Sequence, residues 1–198
     1  MHGLVLGGAA AAMLFAAAGT ANAQFLMVPE SSNDNIMLFN AFDGSLISMN
    51  FLDLTPADPG TPVNAIQVGN EIWVSDQLRD RVDRFSVSSG FLGTFAGGPG
   101  GGLDNIRGMA AVGNTLYVTS SGTNEGAPGE STVMFDITTG DNLGSFFTDD
   151  SFDVVDTGSG LLINDIDDED IFSYNYDGSG MTLFHDSDGV DGVDFPEQ

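Results

Sequence analysis

Ile72-Trp73-Val74-Ser75-Asp76, Leu116-Tyr117-Val118-Thr119 and Leu162-Ile163-Asn164-Asp165 are one short apolar strand written three times. Leu26-Met27-Val28-Pro29-Glu30 is a fourth copy ahead of them. The copies recur every ~45 residues, a period in the range of propeller blades built from short strands. After each comes a second strand: Ile36–Phe39, Val82–Phe85, Thr132–Phe135 and Ile171–Tyr174. A turn then closes the hairpin at Asp43-Gly44, Ser89-Gly90, Thr139-Gly140 and Asp177-Gly178. Gly there supplies positive φ, and Asp or Ser bonds its own backbone.

A third strand follows each turn, at Leu46-Ile47, Leu92–Phe95, Leu143–Phe146 and Met181–Phe184. A fourth precedes the apolar copy: Asn64–Val68 before Gly69-Asn70, Gly108–Val112 before Gly113-Asn114, and Phe152–Val155 before Gly158-Ser159. Beyond the N-terminal segment, no stretch places apolar residues at helical spacing over three turns, and the alternating runs argue for strands. The expected fold is all-β: a β-propeller of about four four-stranded antiparallel blades. A non-repeating β-sandwich is the alternative, disfavoured by the agreement of register across four copies.

Residues Gly3 to Ala18 are a run of Ala, Leu, Gly, Met and Phe ending before Ala21-Asn22-Ala23. A small-x-small site after an apolar run reads as a secretory signal peptide over 1–23, with the propeller over 24–198. The run is short for a membrane span. The expected location is therefore secreted, periplasmic or on the cell surface, without membrane insertion. Cys is absent, so stability rests on sheet packing rather than disulfides.

The formal net charge is −25, Lys is absent, and the cations are Arg79, Arg81, Arg84 and Arg107. Such a surface repels phosphate backbones and anionic lipid, which excludes nucleic acid as a partner. Two readings of the acidity compete. One is solvation in salty water, where ions screen self-repulsion. The other is divalent-cation binding.

Three acidic clusters bear on the second reading. Asp165, Asp167, Asp168, Glu169 and Asp170 form a turn between two strands, and Asn33-Asp34-Asn35 forms another. Asp186, Asp188, Asp191 and Asp194 form an Asp/Gly loop after the last strand. Ca²⁺ takes six to eight hard oxygens from such flexible carboxylates. Asp186-Ser187-Asp188-Gly189 supplies two and a bend, but Val190 stands where an EF-hand has its third ligand. Ca²⁺ in this loop is the one cofactor the sequence suggests.

The catalytic inventory is thin: His185 is the one His beyond the N-terminal segment, and neither Cys nor Lys is present. That removes thiol nucleophiles, Schiff-base lysines and multi-His metal sites. Gly97-Gly98-Pro99-Gly100-Gly101-Gly102 lacks the Lys and helix of a phosphate loop and reads as a flexible blade-to-blade connection. Carboxylate chemistry at the propeller centre remains. Asn64, Arg107 and Asp153, with the turn residues Asp76 and Asp165, are the expected channel rim. Capping of strand ends is the competing role for all five.

Pro62–Asp76 and Asn105–Val118 resemble the blade consensus of NHL- and YVTN-type β-propellers. In those repeats a "P-x-G-I-A-V" strand runs through a Gly-Asn turn into an "L-Y-V-x-D" strand. The resemblance covers roughly residues 25–198. It implies a repeat superfamily containing protein-binding modules, lactonase-like and lyase-like enzymes, and many secreted bacterial proteins. For the lactonase-like members it implies a Glu, Asn and Asp set around a central divalent ion, for which Glu30, Asn64, Asp153 and Asp165 are the candidates. The lyase-like members use a His, and His185 does not sit on an inner strand.

By the same ruler the chain starts at the second strand of a blade, and Phe195-Pro196-Glu197-Gln198 opens another inner strand. An incomplete, truncated ring is therefore expected, with a closed four-bladed ring as the alternative. Exposed strand edges would invite association with another chain. Two functions stay open: a non-catalytic binding or scaffold propeller taking a protein or glycan at the cell surface, and a divalent-metal-dependent lactonase-like hydrolase or lyase.

Overall fold

A computed structural model of the chain describes residues 24–167 and 169–186. The first sheet consists of β1 (Phe25–Glu30), β2 (Asn35–Asn40) and β3 (Leu46–Asp53). The second consists of β4 (Pro62–Val68), β5 (Glu71–Asp76), β6 (Arg81–Ser86) and β7 (Gly90–Gly97). The third is β8 (Ile106–Val112), β9 (Thr115–Ser120), β10 (Ser131–Asp136) and β11 (Asn142–Phe147). The fourth is β12 (Ser151–Asp156), β13 (Leu161–Asp165), β14 (Asp170–Tyr174) and β15 (Thr182–His185). Every pairing is antiparallel between consecutive strands.

These are the four expected antiparallel blades of a β-propeller. Among the described residues the first has three strands, because β1 matches β5 in the repeat and no innermost strand precedes it. A single 3-10 turn, Thr55–Ala57, is the one helical element described.

The recurring strand explains why the blades stack. Side chains alternate across a sheet, so a strand apolar at every position must be covered on both faces. On β5, Ile72 and Val74 pack with Ile36, Leu52 and Leu54 of the first blade. Trp73, between them, packs with Leu103, Ile106 and Leu116 at the third blade. On β9, Leu116 and Val118 join that same cluster, while Tyr117 turns to Val154, Leu161 and Ile163 of the fourth. Each large side chain so buried stabilises the fold by roughly 1.5–3 kcal/mol. Aromatic pairs seal the outer ends: Phe95 lies 6.2 Å from Phe135, and Phe146 lies 5.5 Å from Tyr174, ring centre to ring centre.

Three clusters mark three blade junctions. β1 lies beside β4, β4 beside β8 and β8 beside β12; among the described residues no comparable packing joins β12 to β1.

Each innermost strand carries a bulge at the same place: at Pro62/Asn64 in β4, Ile106/Met109 in β8 and Ser151/Val154 in β12. A bulge leaves an amide out of the ladder. A side-chain oxygen from the neighbouring strand takes it each time. Asn64 N donates to Ser75 Oγ at 3.0 Å, Gly108 N to Thr119 Oγ1 at 2.9 Å, and Asp153 N to Asn164 Oδ1 at 2.5 Å. The two hydroxyls also reach the next blade: Ser75 Oγ donates to Arg107 O at 2.5 Å and Thr119 Oγ1 to Phe152 O at 3.0 Å. Both side chains are fully buried.

Replacing Thr119 by Val keeps the shape but strips the Gly108 amide and the Phe152 carbonyl of their partner. Thr119→Val is expected to lower unfolding stability by about 1–3 kcal/mol, read from the midpoint of urea denaturation. An unchanged midpoint would remove the stitch from the account.

Candidate functional site

The bulged segments carry the sequence-expected rim. Asn64 on β4 is half-buried, and its Oδ1 is buried without a hydrogen-bond partner. Arg107 on β8 reaches across to the fourth blade. Its Nη1 donates to Asp150 Oδ1 at 2.9 Å and to Ser151 O at 3.2 Å, and its guanidinium lies over the Phe152 ring at 5.4 Å. Its Nε is buried without a partner. Asp153 on β12 leans on Gly108, where an added Cβ would stand 2.5 Å from the Asp153 Cα. Burial pushes the Asp153 carboxyl up from the ordinary 3.8 to about 6, against the hydrogen bond from the Val154 amide. Neighbouring innermost strands thus carry an unpaired acceptor, Asn64 Oδ1, an unpaired donor, Arg107 Nε, and a carboxyl of raised pKa, Asp153.

Glu30, Asp76 and Asp165 end the recurring strand in three blades and serve turns. Glu30 accepts from Ser32 N and Asn33 N at 2.9 and 2.8 Å, and the Asn33 side chain lowers its pKa. Asp76, buried, accepts from Gly60 N at 2.6 Å, Thr61 N at 2.8 Å and Arg79 N at 3.1 Å. Asp165, also buried, accepts from Asp167 N at 2.9 Å. Among the described residues no three His, Asp or Glu side chains are grouped to hold a metal ion. Of the Asp/Gly loop, Asp186 is exposed just beyond β15, and Asp188, Asp191 and Asp194 lie outside the described residues.

A cleft of about 370 Å³ opens at the same end of the blades, between the second and third. It is lined by Thr61, Gln77, Leu78, Asp80, Asp104 and Asn105. Asn105 organises it, donating from N to Asp80 Oδ1 at 2.7 Å and accepting from Gln77 Nε2 at 2.7 Å. Burial first, then the nearby Asp104, Glu125 and Asp76 carboxylates, push the Asp80 carboxyl up, against the Asn105 hydrogen bond. The glycine-rich connection beside it is anchored. Gly98 N donates to Asp80 O at 2.8 Å and Gly102 N to Glu125 O at 3.0 Å. Gly97 sits so close that a Cβ would meet the Asp80 carbonyl oxygen at 2.1 Å, which is why no side chain stands there.

Sequence reasoning missed this cleft and the Ser75, Thr119 and Asn164 row. The one signal for the row is position: each stands directly before the last residue of its strand, β5, β9 or β13.

No protein-family model and no curated protein sequence matches the chain. Solved structures do match. One is a nidogen/laminin complex, with a TM-score of 0.58 and 13% identity over 80% of this chain and 58% of that one. A streptogramin B lyase gives 0.56 and 9% over 84% of this chain and 52% of that one. A catalytically inactive virginiamycin B lyase from Staphylococcus aureus, with quinupristin, gives 0.56 and 11% over 90% and 55%. The structural neighbours are β-propeller proteins. At such identities the likeness is one of fold alone. The chain spans between 52 and 58% of these solved chains.

The Asp153 carboxyl makes a signed prediction. Because the fold holds its proton to higher pH than an unfolded Asp does, this residue favours folding below about 4, and that contribution is lost as pH rises to about 6. Asp153→Asn is therefore expected to stabilise the protein at pH 8 by about 3 kcal/mol and to leave it unchanged at about pH 3.5. Thermal melts at the two pH values check this; an equal effect at both would contradict it.

Proposed function

We propose that this protein is an exported, non-catalytic β-propeller of the NHL/YVTN type that binds an extracellular peptide or glycan at the bulged ends of its innermost strands. The observation that carries the reading is the unmet hydrogen-bond capacity of Asn64 Oδ1 and Arg107 Nε, buried on adjacent strands β4 and β8. Buried polar atoms are almost always paired, so unpaired ones mark a place for water or a ligand. A ligand with neutral amide or hydroxyl groups both donates and accepts, and it suits this pair better than an anion would on a chain of net charge −25. The signal-like segment 1–23 supports export.

A second reading, a hydrolase or lyase working through central carboxylates, is favoured by Asp153 alone. A carboxyl near 6 suits general acid–base work near neutrality. Its neighbours are otherwise engaged: Asp150 holds Arg107, while Asp76 and Asp165 hold turns. The lyases among the structural neighbours share the fold at 9 to 11% identity.

Interferometry of the immobilised protein against panels of oligosaccharides and extended peptides tests the first reading. Binding is expected, with Asn64→Ala weakening it about tenfold, the equivalent of about 1.4 kcal/mol. Full retention of affinity in that variant, or folded protein that binds nothing in either panel, contradicts it. Lactone hydrolysis that vanishes in Asp153→Asn would favour the second reading instead.

A further inference from the structure

Asp80 and Asp104 line the cleft between the second and third blades, and among the described residues neither is paired with a cation. The chain has four arginines and no lysine. Each arginine is committed to another carboxylate: Arg79 to Asp58 at 2.8 Å, Arg81 to Asp83 at 2.9 Å, Arg84 to Glu71 at 2.7 Å and Arg107 to Asp150 at 2.9 Å. Burial, and after it repulsion from the Asp104, Glu125 and Asp76 carboxylates, hold the Asp80 carboxyl above its ordinary pKa, and no cation offsets them.

Asp104 is only 8% exposed, and the fold holds it firmly. Its N and O bond the Ser120 hydroxyl at 3.2 and 3.0 Å, and its O also accepts from Gly122 N at 3.0 Å. Its Oδ2 accepts from Asn124 N at 2.6 Å, and Oδ1 has no donor among the described residues. Asp80 is in the same position, with Oδ1 on the Asn105 amide and Oδ2 open. A carboxylate taken out of water is costly unless a cation or donors satisfy it. The amides beside these two face protein partners with their N–H groups. Gln77 Nε2 donates to Asn105 Oδ1 at 2.7 Å and Asn105 Nδ2 to Ser121 Oγ at 2.6 Å, which leaves Gln77 Oε1 as a further open acceptor. Leu78, 68% exposed, adds an apolar wall.

We infer that this cleft takes an ammonium group on an aliphatic stem, held by Asp80 Oδ2, Asp104 Oδ1 and Gln77 Oε1, with the stem along Leu78. An ammonium offers three donors and no acceptor, which matches a lining whose open groups accept. A metal ion fits less well. Ca²⁺ takes six to eight oxygens, and among the described residues no three carboxylate or His side chains are grouped to hold one. The net charge of −25 draws cations toward the surface, and the cleft supplies the place where one is desolvated. The site uses none of Asn64, Arg107 or Asp153, so it is separate from the bulged ends of the innermost strands. A lysine side chain of a protein partner and a free aliphatic amine carry the same chemistry.

Isothermal titration calorimetry of the full chain tests this with two amines, Nα-acetyl-lysine N-methylamide and butylamine. Calcium chloride and the neutral norleucine analogue of the first amine run beside them. Saturable one-to-one binding of an amine is expected, weakening as sodium chloride rises from about 0.02 M to about 0.5 M. The norleucine analogue should not bind. Asp80→Asn and Asp104→Asn keep an oxygen for the amides they accept, and each should weaken amine binding by about tenfold or more. Asp141→Asn removes the same charge in the turn between β10 and β11 and should leave the affinity unchanged. In amide spectra of the unaltered protein the Leu78 and Asn105 signals should move with added amine, a readout that does not depend on any variant folding. A tighter lysine probe supports the site with a protein partner as the source; a tighter butylamine supports it with a free amine. Absence of amine binding overturns the inference. So do equal binding of the norleucine analogue, Ca²⁺ binding more tightly than either amine at the same signals, and equal losses in Asp141→Asn and the cleft variants.

Discussion

A sheet whose central strand is apolar on both faces must be covered on both, and where strands supply the cover it lies between two other sheets. That constraint governs this protein. β5 and β9 bury every other residue against one neighbour and the residues between against the other. Among the described residues no blade has a core of its own; the three cores lie between blades. Short turns follow, because consecutive strands must pair at once, and the radial stacking follows because each blade must have a neighbour.

Packing alone does not fix how far one blade slides along the next. The hydroxyls of Ser75 and Thr119 do. Each satisfies a bulge amide in its own blade and a bulge carbonyl in the following one. Hydrogen bonding of this kind contributes little net energy when made and costs more when broken, because the orphaned backbone groups stay buried. The bulges in turn redirect the innermost strands where Asn64, Arg107 and Asp153 are found. The same small distortion that locks neighbouring blades therefore shapes the candidate site, where burial raises the Asp153 carboxyl and Gly108 of the adjacent blade leaves no room for a Cβ beside it.

The four blades were legible in the sequence because the recurring strand must be apolar in every copy, so Ile72–Val74 and Leu116–Val118 look alike. The turns were legible for a similar reason: Gly90 and Gly140 adopt φ of 76° and 78°, which few other residues tolerate. The stitch was not legible. Ser, Thr and Asn share only an oxygen at the right distance, and nothing in residue type signals a bulge on the facing strand. Among the acidic residues the sequence offered too many candidates. Asp76, Asp165 and Glu30 look like rim carboxylates in one dimension, yet in three Asp165 and Glu30 accept amides from their own turns, and Asp76 accepts them from its own turn and from the Gly60-Thr61 connection. The cleft at Asp80 and Asp104 escaped because the glycine-rich connection beside it reads as slack chain. Gly97 and Gly101 are there for close backbone approach, and the segment is hydrogen-bonded in place.

If the cores lie between blades, protection within a blade must fall from the recurring strand to the outer one. β5 and β9 are buried through most of their length, while β11, in the same sheet as β9, is largely exposed. Amide hydrogen exchange read by mass spectrometry measures this directly. The account predicts that β5 and β9 exchange last, near the rate of global unfolding, and that β7 and β11 exchange well before them. Equal protection across the strands of one blade, or slower exchange in β11 than in β9, would contradict it.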